Sequence, residues 1–262
     1  VPVRGMSYII ISTSTTRAFL LFPLLLALSL FLFRRCDSYS SVATFYGSPD
    51  SPDTPGGYCG YGEYGRNVLG GTVAGVSERF FLNGSGCGSC FQLKCGRSNL
   101  CSYDGVNVVV TDSAVARRAQ FVLTASAFAQ LARARLAATL FAMRTVPVEY
   151  RRISCSYPGY NLHVKVHEDS RKDEYLAVVV LYQGGRHQLA AVEILPEEFG
   201  ESTPMRKSYG CVWESENPPF GALSLRLELL AEHGDHRSVE LTNILPAAWE
   251  AGEAYDSNMQ LY

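Results

Sequence analysis

From Ala43 onward, hydrophobic and polar positions change over with a period of two far more often than with a helical period. Ala43–Gly47 alternates. Val106–Thr111 is β-branched and apolar, and Val146–Ile153 alternates again. These are strand patterns, because successive side chains of a strand point to opposite faces. One segment, Phe128–Leu140, carries apolar residues at helical spacing (Phe128, Leu131, Leu136, Leu140), and Ser126 is placed to cap it. Many short strands, abundant glycine and one helix predict a β-barrel rather than an α/β fold.

After Ser156-Tyr-Pro-Gly159 the texture turns to hairpins. Strands are predicted at Leu162–Val166, Tyr175–Tyr182, Leu189–Leu195, Gly210–Trp213, Leu223–Leu229 and Val239–Leu245, with Gly184-Gly185 as a tight turn. About ninety residues of strands and turns read as a β-sandwich. The mainly β chain therefore divides into a barrel at 41–157 and a sandwich at 160–262.

Ahead of both lies Phe19–Phe33, an uncharged apolar run of fifteen between Arg17 and Arg34-Arg35. It is short for a membrane span and fits the core of a signal peptide in residues 1–40, cleaved within 36–43. A signal anchor is the alternative, with Arg34-Arg35 as a stop. The chain has 262 residues, 18% of them charged, and a formal net charge of -2, so neither a nucleic-acid face nor an acidic tail is indicated.

Four cysteines, Cys87, Cys90, Cys95 and Cys101, fall within fifteen residues. Their spacing fits a zinc ribbon only loosely, since a closed tetrahedral site is built from two short ligand pairs separated by a longer stretch. With an export leader in front, disulfides are the favoured reading. Spacing leaves fifteen connectivities open to the six cysteines Cys59, Cys87, Cys90, Cys95, Cys101 and Cys155. Cys211 reads as a buried free thiol, and Cys36 leaves with the leader. The five histidines show no metal-ligand spacing, so no metal and no cofactor is expected. Asn83-Gly84-Ser85 is a glycosylation sequon on a loop.

Taken together, Thr44-Phe45-Tyr46-Gly47, Gly57-Tyr58-Cys59-Gly60-Tyr61-Gly62, the Asn83–Cys90 stretch, Val110-Thr111-Asp112, Tyr209-Gly210-Cys211-Val212-Trp213 and Ala254-Tyr255-Asp256-Ser257 resemble the expansins, plant cell-wall loosening proteins, and their expansin-like B branch most. The resemblance runs from about residue 40 to the end. It implies a six-stranded double-psi β-barrel followed by an immunoglobulin-like β-sandwich, with the pairings Cys59–Cys87, Cys90–Cys155 and Cys95–Cys101. It further implies a secreted, monomeric cell-wall protein whose partners are cellulose, hemicellulose or pectin, with no stable membrane association once the leader is cut.

The resemblance also supplies site residues. Thr44, Phe45, Tyr46 and Asp112 match the groove of the barrel; Tyr175, Tyr209 and Trp213 match the aromatic glycan-binding surface of the sandwich. Tyr209 and Trp213, four apart on one predicted strand, share a face. Either that face lines the binding surface or it packs inside with Val212 outward. Lys165 and Lys207 are expected at the surface, and Trp249 as packing at one end of the sandwich. Inverting glycosidases of similar barrel shape need two carboxyls roughly 6.5–9.5 Å apart. Where the family carries the aspartate of a His-Phe-Asp motif, this chain has Gln120-Phe121-Val122, which leaves Asp112 as a lone carboxylate, with Asp53 a weaker candidate. No catalytic residue is assigned: the expected function is glycan binding with non-hydrolytic loosening. The alternatives are a residual glycoside hydrolase and a binding module without loosening activity.

Overall fold

A computed structural model describes residues 38–47, 57–97, 99–114, 116, 118–185, 187–195, 201–231 and 234–261. The leader and Asp53 lie outside the described residues. Six strands close into a barrel in the order β1-β5-β2-β4-β3-β6. They are β1 Tyr39–Phe45, β2 Val73–Val76, β3 Cys90–Cys95, β4 Val106–Ser113, β5 Phe121–Leu123 and β6 Val146–Ile153. β1 runs parallel to β5, and β2 parallel to β4, while the other pairings are antiparallel. β1 starts inside the residues assigned to the leader. Its Tyr39 and Ser40 pair with Tyr150 and Glu149 of β6, so a cut beyond residue 38 would remove part of a paired strand.

The barrel interior holds Leu93, Val106, Val108, Val110, Phe121 and Leu123, the inward members of alternating strands. Phe80, Phe91, Phe121 and Tyr150 meet there with ring centroids 5.1–6.2 Å apart. Disulfides join Cys59 to Cys87, Cys90 to Cys155 and Cys95 to Cys101.

The single helix predicted at Phe128–Leu140 is two short ones, α3 Ala125–Gln130 and α4 Ala137–Ala142, after α1 Glu63–Asn67 and α2 Glu78–Phe81. Between α3 and α4, Ala132 bridges to Cys101 and Arg135 turns to φ 68°, which breaks the helical hydrogen bonding. The cap of α3 is Thr124, whose hydroxyl accepts from the Ala127 N–H; Ser126, the expected cap, donates instead to the Gly71 carbonyl.

The sandwich packs a four-stranded sheet, β10-β9-β13-β14, on a five-stranded sheet, β11-β12-β8-β7-β15. Its strands are β7 His163–Val166, β8 Tyr175–Leu181, β9 His187–Leu195, β10 Thr203–Pro204, β11 Arg206–Lys207, β12 Val212–Glu216, β13 Leu223–Ala231, β14 His236–Leu245 and β15 Ala254–Asp256. β8 explains the layout. Leu176, Val178 and Val180 enter the sandwich core with Trp249, whereas Ala177, Val179 and Leu181 face the barrel and pack with Tyr61, Cys59 and Val212. A strand covered on both faces reads as a continuous apolar run rather than an alternating one, and that is how Tyr175–Leu181 reads. Each aliphatic side chain buried in this seam stabilises it by about 2 kcal/mol.

Cys211 is the free cysteine of the described residues, and it is buried in the seam with its Sγ 3.0 Å from the Cys59 carbonyl oxygen. Burial pushes its thiol up to about 12, against the lesser opposing effects of Tyr61 and Lys207. A raised thiol pKa means that no appreciable thiolate forms at pH 8 in the folded protein. Iodoacetamide at pH 8 is therefore expected to modify Cys211 only after denaturant is added; mass-spectrometric detection of rapid native labelling would contradict the seam.

Candidate glycan-binding site

Asp112 sits near the end of β4, where a register shift between Ala74 and Gly75 brings it opposite Gly75 of β2. Gly75 has no Cβ, and one placed there would lie 1.8 Å from the Tyr46 Oη. The missing side chain lets Tyr46 cross β2 and donate its hydroxyl to Asp112 Oδ2 at 3.0 Å. The backbone N–H of Tyr58 donates to Asp112 Oδ1 at 2.7 Å. Both carboxylate oxygens are thus engaged, and Asp112 is buried. Burial, and then the Asp112 charge and hydrogen bond, hold the Tyr46 hydroxyl well above its ordinary range.

Tyr58 carries the site toward the sandwich. Its ring is 66% exposed, while its carbonyl oxygen abuts Gly210. Gly210 has φ 49°, and a Cβ on it would lie 2.0 Å from that oxygen, so only glycine fits. The next ring is Tyr209, 42% exposed, which lies over Gly60 and hydrogen-bonds His167 Nε2 through its hydroxyl at 2.8 Å. Its pKa is raised by burial and then by Asp169 and Glu168. Tyr175 follows at the head of β8, donating to Glu214 Oε2 at 2.7 Å. Its hydroxyl is pushed up to about 12 by burial, then by Glu214 and by Asp169. His167, the partner of the Tyr209 hydroxyl, has its Nδ1 3.4 Å from Asp169 Oδ2, and Arg171, two residues further on, bridges to Tyr175, so one turn joins the two tyrosines. Tyr46, Tyr58, Tyr209 and Tyr175 thus trace a path from the barrel groove across the seam onto the five-stranded sheet.

Trp213 is placed away from the path, and Thr44 and Phe45 have contacts of their own within the barrel. Trp213 is 5% exposed and lies in the sandwich core, paired with Val178 of β8. Val212 is the residue that faces the barrel, so the inward alternative for Trp213 holds. Tyr209 does not share its strand, because β12 begins at Val212 and Tyr209 precedes it on a turn. Phe45 is half-buried and packs on Phe128 and Phe141, with centroids 4.8 and 4.9 Å away, at the edge of the barrel core. Thr44 donates its hydroxyl to the Arg144 carbonyl oxygen.

Lys165 is also not a solvated surface lysine: it is buried and ion-paired with Glu168. Lys207, its ammonium 3.2 Å from Ser85 Oγ and 5.9 Å from the Trp213 ring centre, has its pKa lowered by burial. Asn83 is exposed in a turn whose neighbour Gly84 packs against Gly210. The residues that sequence reasoning missed are Tyr58 and His167. The available signal for Tyr58 was an aromatic beside a cysteine in a glycine-rich loop, where a disulfide fixes the backbone and no core claims the ring.

Chemically the path offers stacking faces and hydrogen-bonding groups. Val122 alternates with Phe121 and Leu123, which enter the barrel core, and pairs in register with Thr44 and Gly75. The position beside the groove that a second carboxylate would need is therefore apolar. Among the described residues no group of three His, Cys, Asp or Glu is arranged to hold a metal, and no helix is long and apolar enough to cross a membrane.

Sequence comparison agrees with this architecture. The double-psi barrel profile described as lytic transglycolase matches residues 73–150, and that of the expansin C-terminal domain matches residues 162–246. Expansin-like B1 of Arabidopsis thaliana is 43% identical over 225 residues, covering 86% of this chain and 90% of that protein. The chain belongs to the expansin family. Expansin-like B1 of rice, Oryza sativa subsp. japonica, is 35% identical over 91% of this chain and 95% of its own length. Among solved structures, the apo expansin of Clavibacter michiganensis aligns with a TM-score of 0.64 at 17% identity, over 86% of this expansin and 98% of the bacterial one. A mutant of the bacterial protein in complex with cellohexaose aligns with a TM-score of 0.60.

Removing the Tyr46 hydroxyl would leave a buried carboxylate oxygen without its donor, at a cost of about 1–3 kcal/mol. Tyr46→Phe is accordingly expected to lower the thermal unfolding midpoint of the barrel, measured by circular dichroism, while Thr44→Val has a smaller effect. An unchanged midpoint in Tyr46→Phe would show that the Asp112 clamp does not hold the groove.

Proposed function

We propose that this expansin works outside the cell, holding a cell-wall polysaccharide of the cellulose, hemicellulose or pectin class along the Tyr46–Tyr58–Tyr209–Tyr175 path and loosening contacts between chains without cutting them. The observation that carries the reading is the combination of a groove carboxylate, Asp112, engaged at both oxygens, with exposed rings on either side of the seam. Pyranose chains present flat C–H faces that stack on aromatic rings, each ring contributing about 1 kcal/mol. Hydrolysis by inversion requires a second, separately placed carboxyl to share the acid and base roles, and Val122 stands beside the groove instead.

Other features support the same reading. Three disulfides and the apolar leader suit an oxidising, extracytoplasmic setting. The sequon at Asn83 is exposed and would carry its glycan near the seam. A bacterial protein of the same fold was crystallised with cellohexaose. Asp112 acts here as a positioning residue for Tyr46 and Tyr58, and the protein acts as a monomer with no cofactor.

Retention on insoluble cellulose is expected to fall about fivefold in each of Tyr58→Ala, Tyr209→Ala and Tyr175→Ala, the equivalent of one lost stacking contact. Constant-load extension of heat-inactivated wall strips measures loosening alongside it. Unchanged retention in all three variants would remove the path, and reducing ends that appear with the wild type and vanish in Asp112→Asn would establish hydrolysis in its place.

A further inference from the structure

The tyrosine path leaves part of the barrel wall unused. About five residues back along β4 from Asp112, roughly 17 Å at strand spacing, Asn107 borders a cleft of about 690 Å³. Gln92, Gln130, Thr72 and Ser156 also line it. Leu69 and Gly70 form a rim shared with a narrower cavity of about 250 Å³, walled by Tyr64, Tyr157, Tyr160 and Tyr182. Among the described residues that line the two cavities Asp104 is the one that carries charge, and Arg151 donates from its Nε to Oε1 of the lining Gln92 at 2.8 Å. Such a lining is made mostly of neutral groups. It offers neutral amides and hydroxyls, which both donate and accept, beside aromatic faces.

The rings are held with some care. Tyr160 is 53% exposed and stacks on Tyr182 at 4.6 Å and 20°, leaving its other face free. Tyr64 meets Tyr182 edge-on at 4.7 Å, and its hydroxyl accepts the Tyr182 N–H at 3.2 Å. Tyr182 has φ 59° and Leu69 φ 50°, left-handed conformations that residues with side chains seldom adopt. Backbone strain of this kind gathers at ligand sites, where surrounding contacts over-determine it. Here two such residues line one small cavity.

We propose that the cleft and the tyrosine-walled cavity that shares its Leu69–Gly70 rim together form a second glycan-binding site, taking a neutral pyranose chain with Tyr160 of the smaller cavity as the stacking ring and Asn107 and Gln130 of the cleft as partners for its hydroxyls. The site is independent of the tyrosine path, so either can fail without the other. Calorimetric titration of the full secreted protein with cellohexaose, and separately with xylohexaose, tests it. The expected result with at least one of the two is two binding events. Tyr160→Ala weakens one of them about fivefold or more. Asn107→Trp, which fills the cleft from an exposed strand position, abolishes the same event, and Tyr160→Phe retains it. Tyr209→Ala leaves it intact. Tyr160→Ala lowers the unfolding midpoint by no more than one lost stacking contact accounts for, and Tyr160→Phe, which keeps that contact, has the wild-type midpoint. Wild-type stoichiometry and affinity in both Tyr160→Ala and Asn107→Trp, or no Tyr160-dependent binding of either sugar, would overturn the proposal.

Discussion

The seam between barrel and sandwich is the constraint from which the rest follows. β8 is buried on both faces, and through Ala177, Val179 and Leu181 the barrel core continues into the outer face of the five-stranded sheet. Close backbone approach completes it. The Cys211 N–H donates to the Cys59 carbonyl at 3.3 Å, and Gly210 lies against Tyr58 and Cys59 with no room for a side chain. Tyr58 and Tyr209 are therefore presented next to each other because of contacts beneath them. The Cys59–Cys87 disulfide pins the same loop from the barrel side, so the placement of the exposed rings is coupled to the oxidised fold.

Asp112 is tied into this coupling through both of its carboxylate oxygens. Its two oxygens anchor one ring from β1's end and the backbone of another from the disulfide loop. A carboxylate used in this way organises a surface. Under the proposed function, stacking and hydrogen bonding take the place of proton transfer, which would need a second titratable group at a set distance from Asp112, where the described groove has Val122. Three rings contributing about 1 kcal/mol each amount to roughly a hundredfold in affinity, enough to compete locally with contacts between glycans.

How much of this could be read from the sequence depended on whether a pattern had one physical cause or two. The alternation of Leu223–Leu229 and Val146–Ile153 has one cause, a single buried face, and those strands form as expected. β12 has two. Val212 is apolar because it meets the barrel and Trp213 because it meets the sandwich core, so parity alone could not say which was outward. The family likeness pointed Trp213 to the surface, and packing put it inside. Phe45 has two possible causes as well: a half-buried ring at a strand end serves the core as well as it would serve a sugar. The helix at 128–140 broke because the bridge from Ala132 to Cys101 is a tertiary contact that local periodicity does not register. Tyr58 was overlooked because its exposure is fixed by Gly210, about 150 residues away in the chain.

A rigid seam also changes what two binding faces can do. If the path and the barrel-wall cleft each hold a sugar chain, the distance between the chains is set by β4 and by the buried face of β8 rather than by a flexible linker. Linking two sites on one body makes the second encounter intramolecular, and affinity then rises only for pairs of chains whose spacing matches the body. Pairs packed more closely than that spacing can be held only by being moved apart. Under the proposed function, binding energy from stacked rings would in this way be converted into separation of neighbouring chains, a conversion that needs no covalent step.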